Sequence, residues 1–103
     1  MTEALSSPAP ARILVVDDEP DLCTLYELTL LREGHQVQTA GTLALARQRL
    51  GEQAFDLVIT DMRLPDGDGL ELVEHIQTSQ PGLPVAVITA FGSIETAIRA
   101  LKL

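Results

Sequence analysis

The chain has 103 residues, 46% of them apolar, enough for one hydrophobic core and too few for a second, which excludes a two-domain enzyme. Lys and Arg number 7 against 15 Asp and Glu, and the net charge of −8 repels phosphate polyanions; without Trp, and with one Tyr and two Phe, base-stacking faces are scarce, so nucleic-acid binding by this domain is not expected. The single cysteine, Cys23, excludes an internal disulfide and a Cys-rich zinc site and suits a reducing cytosol, and no apolar run approaches the ~18 residues of a membrane span.

Residues 1–11 are expected to form a disordered leader, because Ala9-Pro10-Ala11 resembles a cleavage site but a basic start and an apolar centre are missing. Next come short branched apolar runs alternating with segments of helical period, the pattern of a parallel sheet covered by helices. Ile13 to Val16 predicts a first strand buried on both faces. Pro20, whose fixed φ suits a first helical turn, opens a helix to about Arg32 with Leu22, Cys23, Tyr26 and Leu30 on its inner face and Gly34 as a left-handed stop.

Gln36 to Ala40 predicts an outer strand, followed by a helix capped by Thr42 that carries Leu43, Ala46 and Leu50. Leu57 to Ile59 predicts a third buried strand ending at Thr60 and Asp61, and Pro65-Asp66-Gly67-Asp68-Gly69 is dense in turn formers. Asp68 with Glu71 three residues on is a capping-box pattern, and Leu70, Val73 and Ile76 continue a helical stripe. Pro84 precedes a fourth strand, Val85 to Ile88, that leads to Thr89, and Ser93 can cap a last helix with Ile94, Ala97, Ile98 and Leu101. That helix reaches Leu103 without a stop signal, so the natural domain is expected to continue beyond it.

In a doubly wound sheet of order 2-1-3-4, the first and third strands flank the switch point, where ligands sit beyond the carboxyl ends. Asp17, Asp18 and Glu19 at one strand end and Asp61 at the next form a self-repelling cluster. A hard divalent cation such as Mg²⁺ relieves the repulsion, keeping several waters and accepting a phosphate. Asp61, alone at the end of the central strand, is then the expected nucleophile, and Thr89 supplies a hydroxyl for a phosphoryl oxygen, acting as a sensor at the neighbouring strand end. An enzyme alternative stays open: a small Mg²⁺-dependent phosphohydrolase with Asp17 as nucleophile and Glu19 as acid or base. His35 is expected in a solvated turn, His75 on an exposed helix face, and Cys23 as a small buried hydrophobe.

Three segments, Ile13-Leu-Val-Val-Asp17-Asp18-Glu19, Asp61-Met-Arg-Leu-Pro65-Asp-Gly-Asp-Gly69 and Val87-Ile-Thr89-Ala90, carry a family resemblance in their order and spacing. The chain from about residue 12 to 103 resembles the receiver domain of two-component response regulators, and the stretch from Phe91 to Lys102 is similar to receivers of NtrC-type activators. The resemblance implies a flavodoxin-like α/β fold in the cytoplasm and Mg²⁺ held by Asp17, Asp18, Asp61 and the backbone carbonyl of Arg63. It also implies phosphoryl transfer from a histidine kinase to Asp61, with Thr89 as the switch hydroxyl and the domain as phosphoacceptor rather than enzyme. DNA and sigma-54 polymerase would be contacted by separate output modules. Family receivers continue into a fifth strand, ending in a phosphate-contacting lysine, and a fifth helix; the only lysine here, Lys102, falls on the expected last helix. Without the last strand and helix, bare apolar surface and an unpaired edge are expected to favour a homodimer.

Overall fold

A computed structural model describes residues 10–88. Most of the expected leader, Thr89 and the helix expected from Ser93 lie outside the described residues. The elements are β1 (Arg12–Val16), α1 (Pro20–Arg32), β2 (Gln36–Ala40), α2 (Leu43–Glu52), β3 (Leu57–Asp61), β4 (Arg63–Leu64), β5 (Gly67–Asp68), α3 (Gly69–Ser79) and β6 (Val85–Ile88).

The four longer strands run parallel in the order β2-β1-β3-β6. Since β6 is the fourth of these in the chain, the order is the 2-1-3-4 expected from the pattern, the doubly wound α/β arrangement in which β1 and β3 are the central neighbours. Alternate side chains of these strands feed two cores. Leu14, Val16 and Val58 pack with Leu43, Ala46 and Leu50 of α2 and Leu72 and Ile76 of α3 on one face, whereas Ile13, Val15, Leu57 and Ile59 pack with Tyr26 and Leu30 of α1 on the other. Burial on both faces explains why β1 and β3 read as continuous apolar runs.

The helix ends follow their sequence signals. Pro20 stands in the first turn of α1, and Gly34 turns the chain out at φ +92°. The Thr42 hydroxyl accepts from Leu45 N–H at 3.0 Å, and Asp68 and Glu71 form the reciprocal capping box on α3.

Two apolar stripes are rotated from the expected ones. In α3 the buried residues are Gly69, Leu72 and Ile76, at spacings of three and four; Leu70, one residue round from Gly69, is 51% exposed. In α1, Tyr26 and Leu30 are buried and Cys23 is half-buried, but Leu22, in the first turn, is exposed. His35 also differs from the solvated position expected of it. It is half-buried, and its Nδ1 accepts the Ala11 N–H at 3.1 Å, which fixes the chain just before β1. The stretch expected as a plain turn closes into an antiparallel hairpin, with Arg63 opposite Asp68, Leu64 opposite Gly67, and Pro65 and Asp66 at the tip.

Leu72 is fully buried between α3 and the sheet. We expect Leu72→Ala to lower the unfolding free energy by about 2–5 kcal/mol, as measured by urea denaturation; a loss under about 1 kcal/mol would contradict the packing described.

Candidate functional site

The register of the two central strands builds the site. Val16 of β1 is opposite Thr60 of β3, so the next residues, Asp17 and Asp61, follow side by side at the two strand ends. Thr60 is fully buried and its hydroxyl donates to the Asp61 carbonyl at 3.0 Å, while the Asp61 backbone is in register with Ile88 of β6. Ile88 also accepts the Met62 N–H at 2.8 Å, which ties the chain beyond Asp61 to the neighbouring strand end. Thr89, the next residue after Ile88, lies outside the described residues.

Asp17, Asp18 and Asp61 each offer a carboxylate oxygen, and the three oxygens lie within 4.8 Å of one another. Asp17 is buried, Asp61 half-buried and Asp18 exposed, so the cluster opens to solvent on one side. Asp17 is anchored on all sides: its N–H donates to Ala40 O at 3.0 Å, its Oδ1 accepts the Glu19 N–H at 2.9 Å, and its carbonyl accepts the Cys23 thiol at 3.2 Å. Cys23 is thus a hydrogen-bonded second layer beneath the cluster, beyond the simple core residue expected. Asp61 Oδ1 accepts its neighbour's N–H, from Met62, at 2.9 Å.

Burial drives the Asp17 carboxyl above the ordinary aspartate range, opposed by the Glu19 N–H and reinforced by the charges of Asp61, Asp18 and Glu19. The same burial and negative field push the Cys23 thiol up, which keeps it protonated and able to donate to Asp17. An all-oxygen, water-accessible set of carboxylates under mutual repulsion fits a hard divalent cation such as Mg²⁺.

Glycine at 69 has a steric reason at this site. Its N–H donates to Met62 O at 2.7 Å, and a Cβ there would run into the Asp61 carbonyl. The turn chemistry read from the sequence pointed to the right residue; close approach to the chain at Asp61 is why it is required. Arg63, whose carbonyl was expected to contribute to the site, opens β4, two residues past Asp61. Glu19 is exposed and forms the cap of α1 without a side-chain hydrogen bond. The residue that sequence reasoning passed over is Asp66, read only as a turn former: it accepts two N–H groups from α2.

Aspartates from adjacent strand ends at the switch point of a doubly wound sheet form an acidic site of the class suited to phosphoryl chemistry with a divalent cation. A model of the response regulator receiver domain matches residues 13–103, and the chain belongs to that family. It is similar to the response regulator protein PilR of Pseudomonas aeruginosa, 53% identical over 91 residues that cover 88% of this chain and 20% of PilR. Among solved structures, the beryllofluoride-activated NtrC4 receiver domain dimer matches with TM-score 0.74 and 38% identity, over 88% of this chain and 75% of that one. The response regulator TrrA of Thermotoga maritima, in complex with Mg²⁺ and beryllofluoride, matches with TM-score 0.75 and 34% identity, over 79% of this chain and 70% of that one.

The chain spans about a fifth of the length of the curated relatives it matches. It is a receiver domain of the NtrC type, and the phosphohydrolase alternative is not favoured: Asp17, its nucleophile, is buried with its Oδ1 engaged by Glu19 N–H. Among the described residues no helix is long and apolar enough to cross a membrane.

The raised Asp17 carboxyl sets the sign of a pH effect. A folded-state value above the unfolded one favours the protonated fold, so this contribution to stability is fully present below about pH 4 and is lost as pH rises through the higher folded value. We therefore expect Asp17→Asn to raise the Tm of the metal-free protein by a few degrees at pH 7 and to leave it nearly unchanged at pH 3. A calorimetric Tm that falls at pH 7 would contradict the assignment.

Proposed function

We propose that this domain takes a phosphoryl group from a histidine kinase onto Asp61, with Mg²⁺ held by Asp17, Asp18, Asp61 and the backbone carbonyl of Arg63. The observation that carries the reading is the approach of three aspartate oxygens to within 4.8 Å at the ends of β1 and β3. Mg²⁺, when bound, supplies charge neutralisation for the carboxylates and the incoming phosphoryl oxygens. One Asp61 oxygen attacks phosphorus in line with the P–N bond of the kinase's phosphohistidine; that bond breaks, the imidazole leaves and takes up a proton, and an aspartyl phosphate forms. Asp61 is suited to this step because the register with Ile88 and the Met62 N–H hold its backbone and one carboxylate oxygen.

Thr89 follows the strand that pairs with β3, and in this reading its hydroxyl bonds the phosphoryl oxygen and passes the signal to the segment after it, a local charge event biasing a two-state element. The acidic domain, at −8, leaves DNA and sigma-54 polymerase to output modules of a longer regulator, as expected of an NtrC-type activator. A homodimer is the expected assembly, supported by the NtrC4 receiver dimer among its structural relatives, and the cytoplasm is the expected compartment. Within the chain, residues 12–103 are assigned to the receiver and 1–11 to a leader.

Incubation with acetyl phosphate and Mg²⁺ is expected to label the wild-type chain at Asp61, and Asp61→Asn to lose at least about 90% of the label; undiminished labelling of the mutant excludes Asp61 as acceptor. Thr89→Ala is expected to retain the label while losing phosphorylation-dependent dimerisation, read by sedimentation. Dimerisation that responds as in wild type would remove Thr89 from the switch.

A further inference from the structure

The hairpin that follows the acceptor is fastened to a helix far from it in sequence. The Leu43 N–H donates to Asp66 Oδ1 at 2.8 Å and the Ala44 N–H to Oδ2 at 3.0 Å, and Thr42 accepts from Leu45 N–H. One carboxylate from the hairpin tip thus satisfies the first two free N–H groups of α2, and the helix's own cap satisfies the third. We propose that Asp66 is a positioning residue for the phosphoryl site: by clamping the tip of the β4–β5 hairpin to the N-terminus of α2, it sets the orientation of the Arg63 backbone. This rests on the reading that the Arg63 carbonyl joins Asp17, Asp18 and Asp61 around Mg²⁺.

Among the described residues the hairpin has four attachments, Asp66 being one. At its base, Met62 N–H donates to Ile88 O and Met62 O accepts from Gly69 N–H; at its far end, Asp68 and Glu71 bond each other's backbone; in its middle, Leu64 is buried against the core of α2 and α3. Apolar burial of Leu64 is non-directional and leaves the ribbon free to pivot about it. Among the described residues only Asp66 holds the tip by directional bonds, and the pairing of Arg63 with Asp68 transmits the tip's placement to the metal-facing end of the ribbon.

Two further observations agree. A side chain on Gly67 would run into the side-chain ends of Glu71 and Leu43, so hairpin, α2 and α3 come together at this point. The two N–H donors hold the Asp66 carboxyl below the ordinary aspartate range, so at neutral pH it is the anion that both donors and the α2 dipole require.

The test is a Mg²⁺ titration of this chain, followed by calorimetry and by the rate of labelling with acetyl phosphate, for wild type, Asp66→Ala and Asp66→Asn. Outer-layer partners of metal ligands typically change affinity 10–100-fold, and we expect Asp66→Ala to raise the Mg²⁺ midpoint about tenfold while the rate at saturating Mg²⁺ stays within about twofold. Asp66→Asn, which keeps one acceptor oxygen, should fall between the two. Amide exchange in β1 and β3 reports whether each variant is folded. A folded Asp66→Ala with the wild-type midpoint overturns the proposal; should that variant not fold, a wild-type midpoint in Asp66→Asn does so. A wild-type chain that takes up no Mg²⁺ is a separate result that overturns the metal reading and this proposal with it.

Discussion

Three aspartate oxygens lie within 4.8 Å of one another, where like charges repel, and the parallel pairing of β1 with β3 holds them there. Neither strand can move its acidic end away without breaking a ladder whose side chains fill two cores. Val16 and Thr60, the last paired residues before the carboxylates, are both fully buried, so the repulsion falls on a part of the fold that does not yield. Burial, reinforced by the charges of Asp61, Asp18 and Glu19, raises the Asp17 carboxyl. An all-oxygen cluster of this kind fits a hard divalent cation.

Around that constraint the remaining parts are arranged by reach. The chain must turn back immediately after Asp61, and it does so through a short hairpin whose base is tied to β6 by Met62 and whose exit is capped by Asp68 and Glu71. Gly69 allows α3 to start against the Asp61 carbonyl, which brings the helix to the sheet within a few residues of Asp61. Asp66 links this loop to α2, so that the start of α2, the loop after Asp61 and the start of α3 form one connected set of hydrogen bonds. The thiol of Cys23 closes the opposite side, under Asp17.

Much of this was legible before any coordinates. Pro20, Thr42 and the Asp68–Glu71 pair marked helix starts through local backbone chemistry, and continuous apolar runs marked β1 and β3 as doubly covered. The acidic strand ends and their convergence followed from the doubly wound topology. Where the reading slipped, a long-range partner was responsible. His35 looked solvated until Ala11, 24 residues away, supplied a donor, and Asp66 looked like turn chemistry until α2, 22 and 23 residues away, supplied two. Leu70 fitted a stripe by period alone, but a period fixes spacing around a helix and leaves its phase to the surface it packs on.

The sequence by itself determined the α/β alternation, the positions of most helix starts, the two-sided burial of the central strands and which carboxylates, Asp17, Asp18 and Asp61, stand at the central strand ends. These depend on interactions within a few residues, or on hydrophobic patterning, and both are written along the chain. Tertiary structure alone decided how close the three oxygens lie, which way α3 turns its face, and that Asp66 bonds a helix 22 and 23 residues before it. Those outcomes require segments distant in sequence to meet at hydrogen-bonding range, and that meeting depends on strand register and packing, which no local pattern specifies.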